Sequence, residues 1–539
     1  MRMTLHPSVQ SESPDHGQQR ASSRLKRTAP PWLCQALVLS GAGLLGCPPV
    51  EADTFRIEPS IGISETLTNN VNLAPRDSAR SDLVTQLTPT VSISESGARA
   101  RLNGTVSLPI VLYARTGSDN DQVYTQANLN GNVEVLDKFF FIDGSVTASQ
   151  QYFSPLGAQA PDLSNATQNR YTTRSYTLSP YVKGVFQGNV NYLLRDDNIW
   201  TNLSGTPVSV NNSYTNNLAA TLSKSPVPFG WSAEYNRTQA TYSPQPRQIT
   251  QLGRLRLIHQ TDPQLELSAS AGYENDDYTF EKFRSSIYGV GTTWRPTERT
   301  NLEATWEHRF FGTSYLFNFS HRMPLSVWSL NASRNITSYP QQLASLPGGF
   351  GVQPLLDQLF LSSIPDAAQR QAFINQFIRD RGLPAFLSSP VILYSESVTL
   401  AQQASATAGL IGARNSVFFS VFYVRQEPVT GLGTDLPGLV GALSNTKQRG
   451  VGATWTNNLA PKLTFVLTGN VSRGESDVSL TGIGSLGKTS QGNVSAALTS
   501  PLSPTTYANA GIRYQTLRSD SQTGYTETAV YVSVTHAFR

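Results

Sequence analysis

The side chains of this chain best able to bind a metal or move a proton are its six histidines, His6, His16, His259, His308, His321 and His536. No two stand four apart, the spacing that turns a pair of imidazoles toward one zinc ion on a helix. Cys34 and Cys47, the two cysteines, both fall within the first 52 residues. A mature chain cut after Ala52 therefore keeps no thiolate for a metal or a disulfide, and no metal or other cofactor is expected. A serine–histidine nucleophile is the next chemistry to weigh. His308 and His321 keep step with Trp306 and Phe319, which assigns them to an aromatic, lipid-side rim. Glu303 and Glu307 lie two pleats apart on one row, whereas a glycosidase brings its acid and base together across a cleft. No catalytic residue is assigned, and the chain reads as non-enzymatic.

Other charges share the polar rows of alternating segments. Arg254, Arg256, Glu266, Glu303, Glu307, Arg309 and Arg322 would project from neighbouring strands into one wet interior. They either pair with one another there or form a charged lining that selects an anionic or polyhydroxylated solute.

The elements that carry these rows are strands. From Phe55 onward the chain breaks into period-two segments of about ten residues, the length that crosses a bilayer when tilted. Leu102, Gly104, Val106, Leu108, Ile110 and Leu112 make one apolar row; Leu265, Leu267, Ala269, Ala271 and Tyr273 make another. Facing rows carry residues such as Asn128, Asn130, Asn132, Asp143 and Ser145. Tight turns at Leu136-Asp137-Lys138, Thr261-Asp262-Pro263, Arg322-Met323-Pro324 and Ala413-Arg414-Asn415 alternate with longer polar links, for example Ser154 to Asn169, Asp196 to Asn211, Glu427 to Asn445 and Gly474 to Lys488. About 22 strands result, an even number that leaves both ends of the mature chain in the periplasm.

Bulk composition agrees with this reading. Charged residues are 14% of the chain, against roughly 25% in soluble globular proteins, and hydrophobic residues reach only 39%. Beyond the leader no run of about 18 apolar residues exists, so any bilayer crossing is made by strands. An open sheet in hydrocarbon would leave two unpaired edges. The expected fold is all-β, a transmembrane antiparallel β-barrel in the bacterial outer membrane, spanning residues 53–539. Net charge is +4 with no basic, aromatic-interleaved tract, so nucleic acid is not an expected partner.

Residues 1–52 read as a leader and signal peptide. Arg24, Lys26 and Arg27 precede the apolar stretch Trp32 to Leu45, and Val50-Glu51-Ala52 offers a small-residue exit. Leu44-Leu45-Gly46-Cys47 also resembles a lipoprotein box, although Leu45 fits that slot poorly.

One segment departs from the strand pattern, the insert from about 338 to 395. Leu355, Leu356, Leu359 and Phe360 follow Pro354 at helical spacing. Asp366 and Gln369 stand like a capping box ahead of Phe373, Ile374, Phe377 and Ile378, and Gly382 and Pro384 stop the run. By strand parity the insert joins two strands on the outer side. It is either a helical lid or plug over a lumen wide enough to need occlusion, or a surface hairpin packed on neighbouring loops.

The last strand, with Val530, Val532, Val534 and Phe538 on its apolar row, reads as the assembly signal of such a barrel. Arg539 departs from the usual terminal aromatic. At Trp306-Glu307-His308-Arg309-Phe310-Phe311-Gly312-Thr313-Ser314-Tyr315, at Phe319-Ser320-His321-Arg322-Met323-Pro324, at Glu65-Thr66-Leu67-Thr68-Asn69-Asn70-Val71 and through the insert, the chain resembles the outer-membrane β-barrel family associated with the PEP-CTERM/exosortase system. The resemblance implies a Gram-negative barrel that serves exopolysaccharide export or biofilm matrix assembly, and it brings no catalytic residues. Expected partners are outer-membrane lipid and lipopolysaccharide, the barrel assembly machinery, a polysaccharide cargo and periplasmic export proteins. A general diffusion porin and a structural or adhesive surface barrel are the competing functions.

Overall fold

The computed structural model describes residues 55–205, 212–242, 247–278, 281–392, 394–395, 398–429, 445–476, 487–520 and 523–538. The expected leader, with His6, His16 and both cysteines, lies outside the described residues, as do Arg539 and the centre of the link from Glu427 to Asn445.

Every described strand pairs antiparallel with its neighbours, and the sheet closes on itself. Arg56–Thr68 pairs with Asp82–Ser96 on one side and with Tyr525–Ala537 on the other, with Ser60 opposite Ala537 and Thr68 opposite Ala529. The 24 hydrogen-bonded segments make a barrel of 22 strands. Two strands are each interrupted once. Pro109, which has no N–H to donate, separates Ala100–Ser107 from Ile110–Tyr113, and both parts pair with Asp82–Ser96. Gln122–Val123 and Gln126–Leu136 form the facing strand in the same way.

Closure leaves no sheet edge to hydrocarbon, and the side chains match. Ile63, Leu67, Val133, Leu257, Val290, Val471 and Ile512 are exposed on the outer face, while inward neighbours such as Thr66, Thr68, Asn493 and Gln515 are buried. An exposed apolar band of this extent would drive association in water; around a closed barrel it is the lipid-facing belt of an outer-membrane protein. No helix among the described residues is long and apolar enough to cross a membrane. The tight connections, such as 324–325 and 412–414, lie at one end, and the long ones, 153–169 and 338–398, at the other. The short-turn end is the periplasmic one by the asymmetry of such barrels.

Several strands run further than their apolar rows. The segment read as a link from Asp196 to Asn211 is strand through Ser204. There Asn216 donates to Asp196 at 2.6 Å and the Tyr214 hydroxyl to Asn198 at 2.6 Å. These polar side chains interrupt the outward row between the exposed Leu194 and Trp200, so the period-two signal fades while the hydrogen-bond ladder continues. Glu427 and Gly474 are likewise inside strands that end at Pro428 and Ser476.

Candidate functional site

The insert leaves the strand Ser326–Thr337 at the outer end and returns as Thr399–Ile411. It holds three helices, Tyr339–Phe350, Val352–Phe360 and Ala367–Asp380. The first lies ahead of the region whose spacing reads as helical. Gln341 accepts the Ser338 backbone N–H at 2.9 Å and starts it, while Pro347, Gly348 and Gly349, all poor helix formers, mask it in sequence. In the third helix Asp366 accepts the Gln369 N–H at 2.7 Å, the cap its spacing announces. Gly382 follows with a φ of 58°, the left-handed conformation that ends a helix cheaply only at glycine.

These helices pack inside the barrel. Val352, Leu355, Leu356, Leu359 and Ile374 are buried in one cluster with the inward-facing wall residues Val327, Ile411 and Phe418, and Phe360, Phe377 and Ile378 pack against it. Each such apolar side chain contributes about 1.5–3 kcal/mol on burial. Phe373 stands apart: it is 42% exposed and meets Phe360 edge-on with ring centroids 4.9 Å apart. Arg370, itself buried, ties the second and third helices together, donating to Asp357 at 2.7 Å and to the carbonyl oxygens of Ile364 and Pro365.

Polar contacts trace the insert from one end of the lumen to the other. Near the outer end the Tyr339 hydroxyl lies 2.7 Å from that of Tyr171, and Gln426 donates to Gln342 at 2.7 Å. Gln448 holds both backbone groups of Val391, at 2.9 and 2.8 Å. At the short-turn end Arg381 donates to the Ala413 carbonyl at 3.2 Å, Thr464 to the Asp380 carbonyl at 3.3 Å, and Arg322 to the Gln358 carbonyl at 3.5 Å. Wall glycine Gly452 makes room for the chain, since a Cβ there would stand 2.6 Å from the Ser388 Cβ. The insert is folded into the lumen, not laid over neighbouring loops.

A second outer link, 153–169, also turns inward: Ala160 is buried with Leu73, Leu517 and Tyr525, and Leu163 and Ala166 pack on Val71, Val84 and Val111. Arg513 donates to Asn165 at 3.1 Å and pairs with Asp162; Glu527 accepts from Asn165 at 3.3 Å and from Thr68 at 2.7 Å. Burial pushes the Asp162 carboxyl up, but the Arg513 charge, hydrogen bonds from Ser164 and the Arg170 charge more than offset it, leaving the group below its ordinary value.

The charged residues singled out above do not form one lining. Arg254 and Arg256 meet Glu234, at 3.5 and 4.0 Å, and Arg254 Nε lies 3.2 Å from Glu307. Arg309 belongs to a separate buried pair with Glu274 at 2.6 Å. Glu266 faces Arg295 at 3.6 Å, Asn318 donates to Glu303 at 3.5 Å, and Arg322 reaches the insert. Glu234 and Glu274 were findable by extending the inward rows to the flanking strands. Another cluster escaped notice: Arg195 bridges Asp143 and Asp197 at 2.6 Å each. It borders a groove of about 390 Å³ lined by Asn103, Asn130, Asn132, Ser145 and Thr177.

The remaining candidates face outward. His259 stacks on Phe229, His308 on Tyr288, and His321 lies parallel to Phe319; His536 meets Phe538 edge-on with centroids 4.9 Å apart. Val530, Val532 and Phe538 are exposed to the lipid side, and Val534 is half-buried beside Ile63 and Ala508. Among the described residues no group of His, Cys, Asp and Glu is placed to hold a metal ion.

No protein-family model matches the chain, and no curated protein matches it in sequence. Among solved structures, the chain is similar to the siderophore receptor PirA from Acinetobacter baumannii, at 8% identity and a TM-score of 0.46 over 91% of this chain and 81% of that one. It is similar to PirA from Pseudomonas aeruginosa at 10% identity and a TM-score of 0.42, over the same shares. OccK1 (OpdK) from Pseudomonas aeruginosa aligns at 9% identity and a TM-score of 0.34, over 89% of this chain and 99% of that one. Likeness at this level assigns no substrate and no role.

Proposed function

We propose that this protein is a non-enzymatic outer-membrane conduit whose helical insert is a gate, and that its cargo is a polyhydroxylated polymer of the exopolysaccharide class. The observation that carries this reading is the apolar seat of the insert, Leu355, Leu356, Leu359 and Ile374 against Val327, Ile411 and Phe418. A surface loop has no need of an apolar docking face inside a wet barrel. The groove of Asn103, Asn130, Asn132, Ser145 and Arg195 supplies paired donors and acceptors suited to hydroxyl groups. The resemblance to the PEP-CTERM-associated barrels supports the same cargo class.

The test is efflux of a neutral dextran from proteoliposomes. The full chain is expected to retain it, and a variant with residues 339–397 replaced by a short Gly-Ser linker to release it. Rapid efflux through the full chain would favour a diffusion porin, and retention by both would favour a structural or adhesive barrel.

A further inference from the structure

One charged surface lies outside the lumen. On the strands from Asn415–Pro428 round to Thr506–Ser519, the lipid-facing rows end toward the outer side at the exposed residues Tyr423, Val451, Val471, Val494 and Tyr514. Arg425, Arg449 and Arg473 take the next outward position, Arg518 follows Thr516, and Lys488 follows Gly492 and Ser490; all five cations are at least partly exposed. Strand register sets them side by side: Arg425 opposite Lys447, Arg449 opposite Arg473, Lys488 opposite Glu475, and Arg518 opposite Ser490.

Like charges directly opposite on one face destabilise a sheet unless something neutralises them. Here Glu475 serves two cations at once, Arg449 at 3.6 Å and Arg473 at 3.1 Å, while Glu427 pairs with Arg425. Counting the exposed Asp520 two residues beyond Arg518, three carboxylates among the described residues stand against six cations, which leaves the belt a cationic excess. On the opposite sector the outward cations Arg237, Lys282 and Arg284 stand opposite Gln251, Asp277 and Asn275, so no two of them face one another, and Lys282 pairs with Asp277 at 2.9 Å.

We propose that this belt binds the phosphate groups of a phosphorylated glycolipid of the outer leaflet. The cations stand where the apolar belt meets the outer headgroup layer, and each Lys or Arg at an anionic surface contributes favourably there. They extend across five adjacent strands, about 20 Å at the usual strand spacing, which suits a polyphosphorylated headgroup better than a single phosphate. Guanidinium groups add bidentate geometry for phosphate oxygens. The glycolipid's acyl chains would lie along Tyr423, Val451, Val471 and Tyr514 beneath.

The experiment measures lipid retained by the purified full chain in detergent, by native mass spectrometry, with bis-phosphorylated lipid A, the same lipid stripped of phosphate, and phosphatidylglycerol. Bis-phosphorylated lipid A is expected to be retained selectively. Its affinity should fall about tenfold or more in R449Q/R473Q/R518Q, since several surface cations act together. The control R237Q/K282Q/R284Q, on the opposite sector, should bind as wild type does. Equal retention of the phosphate-free lipid or of phosphatidylglycerol would overturn the proposal, as would unchanged binding by the triple variant. If that variant does not fold, R518Q alone is judged by the direction of the same change.

Discussion

Arg513 donates from Nη2 to Glu527 Oε1 at 2.7 Å, with both side chains closed off from solvent, on the last two strands of the barrel. Glu527 also accepts from Thr68 at 2.7 Å across the closing seam, and Arg513 reaches Ser164 and Asn165 of the inward-turned link. One ion pair therefore joins the first strand, the last two and an outer loop. Removing one partner of a buried pair strands the other, at about 3–5 kcal/mol. E527A should lose about that much in urea unfolding in detergent, and E527L/R513L should lose less than E527A. A single variant with a wild-type midpoint would contradict the role given to this pair.

Acid should loosen the same loop. The Asp162 carboxyl sits below its ordinary value of 3.8 in the folded chain. A depressed carboxyl stabilises the fold fully above the unfolded value, and that contribution fades as pH falls through the folded value. Protease cleavage within residues 153–169 should rise between pH 5 and pH 3 in wild type. D162N should be cleaved more readily at pH 5 and change less between the two.

Packing of the insert separates two phenylalanine- and leucine-type positions that look alike in sequence. Leu356 is fully buried, and L356A should destabilise insert docking by about 2–5 kcal/mol. Phe373 is 42% exposed, and F373A should cost within about 1 kcal/mol. Hydrogen exchange of the insert helices, followed against the barrel strands, distinguishes the two. Equal protection in both variants would mean the buried seat does not hold the insert.

The final strand offers a test of sidedness. Val532 is 49% exposed toward lipid, whereas Ser533 faces the interior. V532R should reduce the folded, heat-modifiable fraction, since a cation near the bilayer midplane costs about 2–4 kcal/mol. S533R should be tolerated better. The reverse order would place the wrong face in the membrane.

How much of this was legible in the residues follows from which signals are local. Rows such as Leu265, Leu267, Ala269 and Ala271 reveal strand and face because lipid demands apolar side chains at every second position. Asp196 and Asn198 break the outward row between Leu194 and Trp200, which is why they read as a link although their strand continues to Ser204. Helical spacing at Leu355, Leu356 and Leu359 announced a buried stripe, but which surface it meets depends on Val327, Ile411 and Phe418, contributed by three strands. Ion-pair partners are a matter of register: Arg254 meets Glu307 only because two intervening strands bring them to one level. The inward turn of 153–169 is hidden because its polar anchors are ordinary in any loop and its buried apolar residues, Leu156 and Ala160, are too few to mark a strand or a helix.

The gate itself is tested most directly by single-channel conductance in planar bilayers. The full chain should be closed, with rare openings at most, while the chain lacking residues 339–397 should show a large, steady conductance. L356A should fall between them, with frequent flickering as the insert leaves its seat. A full chain that conducts as freely as the shortened one would contradict the claim that these helices block the lumen.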